Sequence, residues 1–173
     1  MRDEVTPELI GLFMREIARA ARQDGRVYIA GGASALLRGW RETTVDIDVK
    51  LVPDDDALLR AIPDLKERLG INVELASPAD FVPALPGWED RSPFIDRFGI
   101  VSFHHFDFYT QCLSKLERAH RKDLDDVAAM VRDGLVQPGK LLEMFRVVED
   151  DLYRYPAIHP PALRARVEAF ALQ

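Results

Sequence analysis

Cysteine is nearly missing from this chain: Cys112 is the only one among 173 residues. That excludes an internal disulfide and any metal site built from several thiolates, and leaves Cys112 as a small apolar residue on a helix face. No apolar run approaches the roughly 20 residues that cross a bilayer. The start, MRDEVTPELI, lacks the basic-then-apolar layout of a secretory leader; a cytoplasmic protein with no membrane partner is expected. Positive charge is in deficit, 23 Lys and Arg against 29 Asp and Glu, for a net charge of −6. Such a balance opposes broad electrostatic binding of nucleic acid and leaves room only for a local basic patch. Internal repeats and low-complexity tracts are also lacking. What is present, 47% hydrophobic and 30% charged residues, is the balance of a folding chain that supports one domain, or one core with a helical tail.

Thr6-Pro7-Glu8 is a helix start, and Leu9, Leu12, Phe13 and Ile17 recur at helical spacing, so a helix is expected over about 6–22 with Gly25 as its stop. RVYIA reads as a short strand ending at Gly31-Gly32, and SALLRG as a short helix closed by Gly39. In VDIDVKL the apolar residues Val45, Ile47, Val49 and Leu51 share one face of a strand, which puts Asp46, Asp48 and Lys50 on the other. Residues 54–69 read as a helix broken or restarted at Pro63, with Asp54-Asp55-Asp56 complementing its dipole. INVEL repeats the strand pattern, with Asn72 and Glu74 opposite Ile71, Val73 and Leu75. Residues 76–97, with four prolines, read as a stiffened loop able to cover a site. GIVSFHHF is a further strand, and from about 108 the chain turns helical, with breaks near Gly134 and Pro156.

The paired acids carry the chemical signal. Side chains two apart on a strand lie about 6 to 7 Å apart, and like charges at that separation repel by roughly 2 to 3 kcal/mol at an effective dielectric near 20. A divalent cation removes the conflict, and Mg²⁺ is commonly held by one or two carboxylates together with substrate phosphates. Gly31 and Gly32 supply the complementary half, since glycines let backbone amides approach a phosphate at the start of a helix, and Ser34 would add a hydroxyl donor. His104 and His105, as strand neighbours, point to opposite faces and do not share an ion. Trp40 and Trp88 are read as packing residues or as platforms for a base.

The order Ala30-Gly31-Gly32, thirteen residues, then Asp46-Ile47-Asp48-Val49 resembles the signature of the DNA polymerase β-like nucleotidyltransferase superfamily. RETTVDID, with Arg41 and Thr44 ahead of the acids, resembles its abortive-infection and toxin–antitoxin branch. The resemblance implies an α+β fold, a mixed β-sheet flanked by helices with a helical C-terminal portion: a core over 1–110 and a helical region over 111–173 packed on it. It implies two Mg²⁺ (or Mn²⁺) ions on three carboxylates and a nucleoside triphosphate on the glycine turn. Asp46 and Asp48 match the paired acids; strand parity makes Glu74 the third, with Asp107 as the alternative. KLERAHRKDLDDV resembles the later Lys and basic-Asp motif of the same proteins, which would put Lys115 on nucleotide phosphate with Asp123 orienting it. Arg118, Arg121 and Lys122 would form a local basic patch between them, and Asp126 is expected at the surface.

The implied activity is metal-dependent transfer of a nucleoside monophosphate, with Arg41 or Lys115 offsetting developing charge. RNA, a protein or a small molecule would be the acceptor, and a cognate partner protein would accompany a toxin–antitoxin component. The competing reading is a binding, antitoxin or sensor protein that keeps the fold without turnover.

Overall fold

Thr6 opens the first helix as the sequence suggests. Its hydroxyl accepts from the Leu9 amide at 3.4 Å, and α1 (Pro7–Ala20) buries Ile10, Phe13, Met14 and Ile17. The helix stops earlier than expected, because Ala21 turns to an extended conformation; Gly25 opens the next strand instead of closing the helix. The structure, a computed structural model, describes residues 4–173 and is α+β. It divides into two units: the chain up to Ser77 with Ser92–Phe106, and Pro78–Arg91 with Asp107–Gln173.

The first unit holds a five-stranded sheet. After β1 (Gly25–Ala30) come α2 (Gly31–Leu37), β2 (Asp46–Val52), α3 (Asp56–Leu69), β3 (Asn72–Glu74), and the pair β4 (Phe94–Phe98) and β5 (Val101–His105). The spatial order is β3-β2-β1-β5-β4. β1 runs antiparallel to β2 and parallel to β5, β3 is parallel to β2, and β4 is antiparallel to β5, so the sheet is mixed. Val27 and Ile29 of β1 and Ile47, Val49 and Leu51 of β2 join the apolar stripes of α1 and α3 in one core. Each such fully buried side chain contributes about 1.5 to 3 kcal/mol.

Several local expectations are corrected here. α3 runs unbroken through Pro63; proline costs a helix one donor, but Ile62 and Leu65, buried on either side of it, keep the helix on the core. Of the acidic triplet, Asp55 is the cap, accepting from the Ala57 amide at 2.8 Å. Val45 and Leu75 do not share the buried faces of their strands: they are 66% and 57% exposed, because they lie one residue outside β2 and β3. β4 replaces the end of the expected loop. Most of its residues are solvent-exposed and its register slips between Phe94 and Asp96, so it carries no alternating pattern to read.

The second unit is helical. A 3-10 turn at Pro78–Asp80 and the short α4 (Trp88–Arg91) come from the stretch read as loop. They are followed by α5 (Phe108–Arg118), α6 (Arg121–Arg132), α7 (Pro138–Val148) and α8 (Pro160–Ala171). Every residue of α5 from Phe108 to Leu116 is buried, as expected of a helix enclosed by protein. Cys112 lies among them with its thiol pKa pushed up by burial, an inert packing residue. Asp107 caps α5 through the Tyr109 and Thr110 amides. Arg91 grips the same carboxylate at 2.7 and 3.1 Å and also bonds the Pro86 carbonyl at 2.6 Å, which ties residues 78–91 to the start of α5.

Candidate active site

The pleat of β2 sends Ile47 and Val49 into the core and leaves Asp46 and Asp48 half-buried on the opposite face. The strand register then selects their neighbours: Asp48 lies opposite Ala30 on β1 and Glu74 on β3, while Asp46 lies opposite Asn72. Asn72 Nδ2 donates to Asp46 Oδ1 at 2.7 Å and to Glu74 Oε1 at 3.1 Å. Glu74 itself is exposed.

The two glycines fit the acid strand. Gly31 has φ +62°, and a Cβ built there would overlap the Asp48 carboxylate; one at Gly32 would overlap the Thr44 hydroxyl and lie 3.3 Å from an Arg41 guanidinium nitrogen. Gly-Gly, Arg41, Thr44 and Asp48 therefore form one spatial unit at the start of α2, although the last three lie 9 to 17 positions beyond the glycines in sequence. Thr44 is fixed from behind by a bridge to Val5, with backbone bonds of 2.7 and 3.2 Å. Gly32→Ala should destabilise the first unit by about 1 to 3 kcal/mol through overpacking. The double variant Gly32→Ala/Thr44→Ala should recover most of that loss in a thermal melt.

Ser34 stands differently from its expected place beside a phosphate. It is 1% exposed, and its hydroxyl lies 2.9 Å from His105 Nδ1 in a buried hydrogen bond that fastens α2 to the end of β5. His104, on the opposite face, reaches the Ser92 carbonyl and the Ser102 hydroxyl, so the two histidines are separated as the strand pattern requires. Burial, helped by the charges of Arg38 and His104, lowers the His105 pKa to about 4. Between that value and the usual 6.5 the unfolded chain holds a proton that the folded chain does not, so acid favours unfolding. Stability should be full above about pH 6.5 and fall towards pH 4 by about 3 kcal/mol. Urea titrations across that range should show the slope, and His105→Gln should flatten it.

Lys115 and Asp123 belong to the second unit. The Lys115 ammonium is buried, 2.7 Å from Asp126 Oδ2 and 3.4 Å from Asp123 Oδ1, and Arg118 meets Asp123 at 2.7 Å. In this arrangement Lys115 joins α5 to α6. Asp126 is not at the surface as expected but 2% exposed. The missed signal was its spacing from Asp123, which puts both acids on one face of α6. Of the expected basic patch, Arg118 is engaged with Asp123 in this network. Asp107 spends its carboxylate on the α5 cap and Arg91. Trp40 is half-buried with the Arg38 guanidinium 5.8 Å from its ring centre, and Trp88 is half-buried in α4.

Residues 10–153 match a family described as a nucleotidyltransferase of unknown function (DUF6036). The chain belongs to this nucleotidyltransferase family. The matched span contains Gly31, Gly32, Asp46, Asp48, Glu74, Lys115 and Asp123, so the candidate site residues lie within the family's own segment. Comparison with curated proteins and with solved structures found no match. Among the described residues no helix is long and apolar enough to cross a membrane. Nor, among the described residues, are three His, Cys, Asp or Glu side chains gathered as ready ligands for one ion. As a nucleotidyltransferase family member, the protein thus presents the Asp48 carboxylate at the glycine turn, with Asp46 on the same strand face and Glu74 tied to Asp46 through Asn72.

Proposed function

We propose that this protein transfers a nucleoside monophosphate from a nucleoside triphosphate to an acceptor hydroxyl or phosphate, with Mg²⁺ or Mn²⁺ held by Asp46 and Asp48. Glu74 is the third carboxylate of the set. The observation that carries the reading is the fit of the Asp48 carboxylate into the space left by the missing Cβ of Gly31, which brings this acid of the pair to the start of α2. The donors are all oxygens, and two carboxylates with the remaining positions left for phosphate and water suit Mg²⁺. When bound, such a cation would polarise the α-phosphate and favour a deprotonated acceptor.

The chain's own contributions follow from their placement. Gly31 and Gly32 admit Asp48 and Thr44 to the turn. Arg41 sets a guanidinium beside Gly32, where it would offset charge on a triphosphate. Ser34 holds the first turn of α2 through His105 and so supports the phosphate end indirectly. The RETTVDID stretch resembles the toxin–antitoxin branch, with RNA, a protein or a small molecule as acceptor and a cognate partner protein.

A second reading has its own support in the Asn72 bridge, which satisfies one oxygen each of Asp46 and Glu74 without a cation: a nucleotide sensor or antitoxin that does not turn over. Incubation with each labelled nucleoside triphosphate, Mg²⁺ and a pool of RNA and protein separates the two. Label transferred to an acceptor is the expected result. Nucleotide retained without transfer under every condition would replace the enzyme with the sensor.

A further inference from the structure

Among the described residues the sheet ends at β3 on one side and at β4 on the other, and the two edges differ. An open edge offers backbone donors and acceptors to any strand that fits it, and charged side chains are a common defence. β4 carries that defence. Antiparallel pairing with a second β4, centred on Asp96 or Arg97, sets Asp96 against Asp96 or Arg97 against Arg97, and like charges directly opposite repel. β3 does not carry it. A two-fold axis normal to the sheet beside Val73 sets Val73 against Val73, and each Glu74 against the neutral Asn72 of the second copy. Centred on Glu74, the same pairing would oppose two carboxylates, so charge selects the register.

The ground beside this edge is apolar and self-complementary. A groove of about 420 Å³ between α3 and β3 is lined by Leu59, Pro63, Val73 and Leu75, together with Lys66 and Glu67 near the end of α3. Leu75 is 57% exposed, which leaves an aliphatic side chain in water at the sheet edge. Turning the molecule about the axis brings the two grooves face to face and lays one α3 antiparallel to the other. Neighbouring opposite charges on one helix then become cross-pairs: Lys66 of each copy meets Glu67 of the second. Among the described residues, neither side chain takes part in an ion pair within its own chain.

We infer that β3 and the end of α3 form the face on which two copies of this chain associate, edge to edge, so that one sheet runs through both. The dimer is independent of the transfer chemistry proposed above.

The test is sedimentation equilibrium of the full chain over a wide range of concentration, with folding checked by circular dichroism. The wild type should sediment as a reversible dimer. Lys66→Glu and Glu67→Lys each place like charges together at two symmetric points, and each should raise the dissociation constant by at least about tenfold. The double variant Lys66→Glu/Glu67→Lys restores opposite charges across the axis and should return to within about threefold of wild type. Leu75→Lys should also weaken the dimer, whereas Arg97→Glu on the opposite edge should leave it unchanged. A wild type that stays monomeric throughout would overturn the inference. So would a dimer indifferent to the folded single variants, or one that the double variant fails to restore.

Discussion

Asp48→Asn should reduce transfer of label from a nucleoside triphosphate by about 10³-fold, in the range seen when one preorganised charge-stabilising group is removed. The substitution changes charge without changing shape. Asp48 packs against Gly31, where no Cβ stands in its way, and an amide of the same volume fits the same space. Folding should therefore be preserved, with a melting free energy within about 0.5 kcal/mol of wild type, the usual range for a substitution that removes no packing. The loss should appear in kcat, since Arg41 and the glycine turn still receive the triphosphate. Asp56→Asn, an exposed acid in the first turn of α3, is the matched control and should leave the rate alone. Transfer retained within about threefold in folded Asp48→Asn would remove the acid pair from the chemistry.

Lys115→Met should destabilise the second unit by about 3 to 5 kcal/mol, the cost of taking one partner from a buried ion pair. Methionine keeps most of the length and apolar stem of lysine, so the effect isolates the charge. Asp123 retains Arg118 at 2.7 Å, whereas Asp126 loses its ion pair with Lys115. The double variant Lys115→Met/Asp126→Asn should therefore recover at least half of the loss, because charge and countercharge leave together. Trp88 in α4 reports on this unit, and its fluorescence during urea unfolding in a Trp40→Phe background measures the effect. No recovery in the double variant would show that Lys115 acts through packing and not through Asp126.

Much of the site was legible because its parts are local. Alternation in VDIDVKL places Asp46 and Asp48 on one face whatever else the chain does, and Gly31-Gly32 marks the strand-to-helix turn. Caps such as Thr6 and Asp55 act within three residues of themselves. Other features had no such short-range signal. β4 is an edge strand held by its pairing with β5, and its exposed side chains show no period. Asp126 looked like one more surface acid until α5 brought Lys115 against it.

From its sequence alone the protein determined which side chains share a face, since backbone periodicity and steric limits act within a few residues. Folding decided which faces meet: that Asp48 fills the space at Gly31, that Thr44 fills the space at Gly32, and that Asn72 joins Asp46 to Glu74. Those contacts depend on strand register between segments up to 26 positions apart. Register is chosen by burial of the whole apolar face of the sheet, and no single stretch of the chain contains that quantity.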